Sequence, residues 1–264
     1  MNSLYLPRFL RVLLLISMFT IAGCGADDPA LNGGAEAPDT VAAPESDVQS
    51  STNGADDLSP EDVPDVASDE VHVLVLGNSI AAGLGLDQEE SFPALLQDRA
   101  NAEGWPVRVT NAGVSGDTSA GGVSRIGWLL DRRVDILIIE LGGNDGLRGL
   151  DPDVTRDNLG EIIEKARERQ PDIEIILGSM QIPPNMGRDY AERFAGLYRE
   201  VAEAYDVPLV PIVPEDLASV SEYIQSDGIH PTAEGQEIIA ESVWDTLGPM
   251  LQHQVDERAT VETE

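Results

Sequence analysis

Val134-Asp135-Ile136-Leu137-Ile138-Ile139-Glu140-Leu141 runs straight into Gly142-Gly143-Asn144-Asp145. Near-continuous rather than alternating hydrophobicity is the mark of a strand covered on both faces, and such strands belong to parallel sheets. Four other apolar, β-branched runs accompany it: 71–76, 107–110, 173–180 and 207–213. Between them lie helical patterns. Leu159, Ile162, Ile163 and Ala166 recur at helical spacing, as do Phe194, Leu197, Tyr198 and Val201. A further helix follows Pro231, with Ile239, Val243 and Leu247 on one face. Strand–helix alternation implies a parallel sheet with right-handed crossovers. The expected fold is therefore a three-layer α/β/α domain with a five-stranded parallel sheet in flavodoxin-like order.

Outside residues 71–250 the composition changes. Residues 1–24 carry Arg8 and Arg11 ahead of an apolar run, Val12 to Ala22, that is short for a membrane span. It ends in Ile21-Ala22-Gly23-Cys24, and Cys24 is the only cysteine of the chain. This junction resembles a bacterial lipobox, which implies a signal peptide over 1–23 and a lipidated Cys24. An ordinary secretory signal or a short anchor is the alternative. Residues 25–70 hold 13 acidic residues and no Lys or Arg, with much Ala, Pro, Ser and Gly. Such a stretch cannot offset its ordering entropy by burial and is expected to be an extended, disordered acidic tether over 24–70. Residues 251–264 are expected to form a flexible acidic tail.

The chain of 264 residues has a formal net charge of −32. Its central domain, with 13 basic and 31 acidic residues, is acidic in its own right. Nucleic acid is excluded as a partner, because binding phosphates needs clustered Lys and Arg. One cysteine excludes a disulfide framework or a Cys-rich zinc site, and three histidines leave little for a His-built metal centre. No metal or cofactor is expected, and no obligate protein partner is evident.

In such sheets, sites gather outside the carboxyl ends of the strands. The segments there are Gly77-Asn78-Ser79-Ile80, Asn111 to Asp117, Gly142 to Gly146, and Asp227-Gly228-Ile229-His230-Pro231. A serine, a glycine bend, an asparagine and an Asp-x-x-His pair make a serine-hydrolase kit of nucleophile, oxyanion donors, base and orienter. Singly, each has a plainer reading. Ser79 would cap a helix, Gly113 would serve a turn, and Asn144 would be a helix cap. Asp117 is read as the cap of the following helix, Asp145 and Arg148 as braces of their loop, and His72 and His253 as structural or incidental.

Together, VLGNSIAAGLGL, NAGVSGDTSAGG, ELGGNDGLRGL and DGIHPTAEG resemble the four blocks of the SGNH (GDSL) hydrolases, in order and spacing, across residues 71–250. The likeness is greatest to the bacterial thioesterase/lysophospholipase/arylesterase branch. It implies Ser79 as nucleophile, His230 as base and Asp227 as its orienter. The oxyanion hole it implies is built from the N–H groups of Ser79 and Gly113 and the side chain of Asn144. One departure is visible: the family commonly has Asp-Ser-Leu where this chain has Asn78-Ser79-Ile80. The expected function is a lipid-anchored, cell-envelope hydrolase of acyl esters such as lysophospholipids or aryl esters. A carbohydrate O-acetylesterase and a non-catalytic envelope binding protein on the same fold are the alternatives. A shallow cleft bordered by loops 142–150 and 181–188 is expected, with Leu147 among its apolar contacts.

Overall fold

The computed structural model describes residues 64–261, apart from 183, 215, 216 and 218. Five strands form one sheet: β1 Val71–Gly77, β2 Val107–Gly113, β3 Ile136–Glu140, β4 Glu174–Ser179 and β5 Leu209–Pro211. All pairings are parallel, and the spatial order is β2-β1-β3-β4-β5, the flavodoxin-like arrangement expected from sequence. Every residue of β1 and β3 is buried, which is what a near-continuous apolar run requires.

The helices are α1 Ser79–Ala82, α2 Phe92–Glu103, α3 Ser119–Leu129, α4 Gly143–Leu147, α5 Pro152–Arg169, α6 Arg188–Tyr205 and α7 Ala233–Val261. α3, α5 and α6 pack side by side, and α2 packs on α7. The helical stripes read from sequence face the core: Leu159, Ile162, Ile163 and Ala166 of α5 are fully buried, as are Phe194 and Tyr198 of α6. Local chemistry sets the helix starts. Asp151 caps α5 by accepting from Asp153 N–H, with Pro152 in the first turn and Arg167 and Arg169 in the last. α3 is capped by Thr118, whose side chain accepts from Gly121 N–H, and not by Asp117. Asp117 is drawn off by Arg125, with Nε 2.7 Å from its Oδ2.

The chain beyond 250 also differs from expectation. Residues 251–261 are not a loose tail but the last turns of α7. Leu251 extends the buried stripe one turn past Leu247, and Arg258 reaches Asp135 at 2.7 Å. At the other end, residues 67–70 are pinned rather than free, because Arg133 donates to the carbonyls of Ala67, Ser68 and Glu70. The expected signal peptide, Cys24 and the expected tether up to residue 63 lie outside the described residues.

Candidate active site

Parallel strands deliver their carboxyl ends to one edge, and the four sequence blocks meet there. Ser79 is the first residue of α1, directly after β1 and the cap Asn78. Its Oγ stands 2.9 Å from His230 Nε2. His230 Nδ1 in turn stands 2.6 Å from Asp227 Oδ2. Only an Nδ1–H can serve the carboxylate, which leaves Nε2 as the acceptor facing the serine hydroxyl. The backbone makes the pair short and fixed, since Asp227 Oδ1 also accepts the N–H groups of Ile229 and His230 at 2.9 and 3.0 Å. Burial works against the Asp227 charge, but the hydrogen bonds from His230 and Ile229 and the nearby imidazole outweigh it and lower its pKa to about 2.

The remaining block residues are placed less uniformly. Asn144 lies in α4 and lines the cavity beside Ser79. One of its amide hydrogens goes to Asp117 O at 2.8 Å, which orients the group and leaves the second hydrogen for the cavity. Ser79 N–H, at the open end of α1, meets no acceptor among the described residues. Gly113 differs. Its N–H donates to Asn111 Oδ1 at 2.9 Å, and it does not line the cavity. What Gly113 does supply is clearance: a Cβ there would fall 2.4 Å from Ala82 N and 2.9 Å from Asn78 O. Asp145 and Arg148 brace the loop as read from sequence. Asp145 accepts from Ser119 N–H and Oγ–H, and Arg148 donates to Gly116 O. His72 is structural, its ring held between Arg133 O and Thr110 Oγ1.

Several residues to which the sequence reading gives no role anchor the site. Gln225 joins the histidine loop to the serine side, donating to both Leu84 O and Pro231 O at 2.8 Å. Buried Gln236 of α7 donates to Ile80 O and accepts from Phe92 N–H, both at 2.9 Å. Asn111 donates to Ala81 O at 2.7 Å. Arg125 donates to Gly77 O and Ala112 O, and so clamps the ends of β1 and β2. Glu140, fully buried, accepts from the backbone on either side of Ser79.

A cavity of about 430 Å³ opens onto Ser79 and His230. Its apolar wall comprises Leu147, Met180, Ile182, Val213, Ile224 and Ile229. Loop 142–150 borders it as expected, while loop 181–188 contributes only Gln181 and Ile182 among the described side chains. The border is completed by residues 228–230 of the histidine block and by Val213 and Ile224, the last two being residues that the sequence pattern does not place there. Among the described residues, no three of His, Cys, Asp and Glu cluster as metal ligands would.

Residues 75–238 match the GDSL-like lipase/acylhydrolase family. Esterase TesA of Pseudomonas aeruginosa is 44% identical over 180 residues, covering 68% of this chain and 89% of that protein. The thioesterase 1/protease 1/lysophospholipase L1 of Escherichia coli K12 is 37% identical over 184 residues, covering 69% and 85% respectively. The crystal structure of TesA superposes with a TM-score of 0.64 at 44% identity, covering 67% of this chain and 98% of that one.

Proposed function

The chain belongs to the GDSL-like lipase/acylhydrolase family and is an ester-bond hydrolase, and from that premise we propose that it cleaves single-chain acyl esters through an acyl-Ser79 intermediate. The observation that carries the reading is the unbroken relay from Ser79 Oγ to His230 Nε2 at 2.9 Å and from His230 Nδ1 to Asp227 Oδ2 at 2.6 Å. A serine hydroxyl is a weak nucleophile until a base takes its proton, a service typically worth about 10²–10⁴ in rate. His230 takes that proton as Oγ bonds to the ester carbon, and Asp227 stabilises the imidazolium. The negative charge moves to the carbonyl oxygen, where Ser79 N–H and the free Asn144 amide hydrogen are placed to receive it. Gly113 N–H joins them only by sharing its bond to Asn111. Collapse expels the alcohol, protonated by His230. Water, deprotonated by His230, then attacks the acyl carbon, and the acid leaves as Ser79 regains its hydrogen.

The apolar wall of the cavity suits an alkyl chain rather than a sugar, which favours acyl esters over acetylated carbohydrates. Apolar contacts discriminate by only about 1–3 kcal/mol per methylene, so tolerance across chain lengths is broad. The lipobox-like junction at Cys24 supports lipid anchoring, and with it a place in the cell envelope where lysophospholipids and aryl esters are available substrates.

The test is hydrolysis of p-nitrophenyl esters from acetyl to palmitoyl by the wild type and Ser79→Ala, each with and without EDTA. Expected are a preference for short-to-medium chains, indifference to EDTA and no turnover by Ser79→Ala at unchanged melting temperature. Activity in Ser79→Ala, activity confined to acetylated sugars, or loss on chelation would each defeat the reading.

A further inference from the structure

The turn that carries Ser79 is held by one side chain from the neighbouring strand. Glu140, the last residue of β3, pairs in register with Gly77, the last of β1. Gly77 makes room for it, since a Cβ at 77 would lie 2.7 Å from Glu140 Oε2. That oxygen accepts the N–H groups of Asn78 at 2.9 Å and Ala81 at 3.2 Å. The other, Oε1, accepts Asn78 Nδ2 at 2.7 Å. Asn78 is thereby turned so that its Oδ1 accepts Ile80 N–H at 3.0 Å. The residues on both sides of Ser79 are thus tied to Glu140, directly or through Asn78, while Ser79 itself is untouched by it.

We infer that Glu140 is the positioning residue of the nucleophile: its carboxylate, acting through Asn78, Ile80 and Ala81, sets where Ser79 Oγ stands relative to His230. The inference deepens, and rests on, the reading of Ser79 as the nucleophile.

The chemistry of the partners favours the ionised form, against the burial that opposes it. Every group on the Glu140 carboxyl oxygens is a donor, and a carboxylate is an acceptor only. A proton on Oε1 would face Asn78 Nδ2, donor against donor. Turning the Asn78 amide over would relieve that clash but set Nδ2 against Ile80 N–H, and the cap of α1 would be lost. Protonation of Glu140 therefore loosens the serine turn. The other charged and titratable groups around this carboxyl are Arg125 of α3, which is itself paired with Asp117, and Tyr198 of α6, which has Asp145 nearby. Burial is the largest influence on Glu140 and pushes its pKa up to about 8, against the pull of the Asn78 and Ala81 donors and of Arg125. Turnover then climbs with pH as Glu140 ionises, and Glu140→Gln stands in permanently for the protonated acid.

The pair can also be exchanged. In the double variant that combines Asn78→Asp with Glu140→Gln, the amide and the carboxylate change places. The new amide oxygen at position 140 can still accept the two backbone N–H groups, and its NH₂ can donate to the new carboxylate at position 78. That carboxylate can still accept from Ile80 N–H. Asn78→Asp alone instead sets two carboxylates about 2.7 Å apart, where they must share a proton.

The experiment measures kcat and KM against pH on p-nitrophenyl butyrate, together with the rate of Ser79 labelling by a fluorophosphonate, in the full chain and in the three variants. Melting temperatures establish that equal folded material is compared. In Glu140→Gln, kcat and labelling are expected to fall roughly ten- to a hundredfold, with KM within about twofold and the alkaline rise gone. The exchanged pair is expected to recover to within about threefold of wild type, a rescue that a merely structural acid would not predict. A double variant that melts like wild type yet turns over no better than the worse single variant overturns the inference. So does a Glu140→Gln enzyme that keeps its kcat and its alkaline rise. If the single variants fail to fold, the double variant decides: fold and turnover regained together support the positioning role, and fold without turnover removes it. A wild type not labelled at Ser79 at all removes the nucleophile reading instead, and this inference with it.

Discussion

Replacing Gly113 by alanine separates two roles that one residue could have. As an oxyanion donor, Gly113 would act through its backbone N–H, which alanine keeps. As a spacer, it acts by having no side chain, which alanine does not keep. A Cβ at 113 would lie 2.4 Å from Ala82 N, 2.9 Å from Ala81 C and 2.9 Å from Asn78 O. All three neighbours are backbone, so no side chain can swing aside to relieve the contact. Ordinary contact begins about 1 Å further out, so β2 and α1 must part by roughly that much; a 1 Å misplacement at a reacting centre can cost about 10² in rate. The movement falls on the segment bearing Ser79 and stretches its 2.9 Å bond to His230. Gly113→Ala is therefore expected to lose about 10² in kcat on p-nitrophenyl butyrate, with a destabilisation of about 1–3 kcal/mol from overpacking. Steady-state kinetics and a urea melt measure the two together. Wild-type kcat with an unchanged melt would refute the spacing argument, because a 2.4 Å contact cannot be absorbed without movement.

Three other outcomes follow from the geometry of the site and a fourth from the sequence. Asn144→Ala should lose roughly 10²–10³ in kcat, the usual effect of removing an oxyanion donor, with little change in KM; an unaltered kcat would remove Asn144 from the oxyanion hole. Stability should depend on pH through Glu140: with its folded pKa raised from 4.5 to about 8, its contribution is fully present below about pH 4.5 and lost as pH rises to about 8. At about 1.4 kcal/mol per unit the loss is on the order of a few kcal/mol, and urea melts at pH 5 and pH 9 should show it shrinking in Glu140→Gln. Asp227 acts in the opposite sense, its contribution present above pH 3.8 and lost as pH falls through about 2, so acid melts of Asp227→Asn should lack that last decline. For targeting, Cys24→Ser should release the protein from the membrane fraction, and mass spectrometry finding an unmodified Cys24 in the wild type would reject lipidation.

What could be read in the sequence was what is local or strictly ordered. Ile136 to Ile139 announce a strand buried on both faces, and all four are fully buried. Because successive parallel strands end on one edge, short blocks far apart in sequence could be assigned to one site, where Ser79, Asn144, Asp227 and His230 now lie. What escaped depends on side chains bridging long separations. Gln236 reaches Ile80 across 156 residues and Gln225 reaches Leu84 across 141, and neither has a spacing that would announce it. Asp117 was legible as a capping residue by type, but Arg125, two turns along, competes for it more strongly and leaves the cap to Thr118.

Glu140 is the instructive case, because a signal did exist. An acid inside Val134-Asp135-Ile136-Leu137-Ile138-Ile139-Glu140-Leu141 contradicts the apolar character that assigns the strand. Burying an unpartnered charge costs far more than one strand position can return, so such an acid must find several donors. In a parallel sheet the nearest unclaimed donors are those where the neighbouring strand ends and its ladder stops. Here they are the N–H groups of Asn78 and Ala81, at the start of the turn that presents Ser79. The same account suits Asn78, which stands where the family's usual block has Asp. With a carboxylate already at 140, an amide at 78 supplies a donor to it and an acceptor to Ile80 N–H, and no second buried charge has to be neutralised.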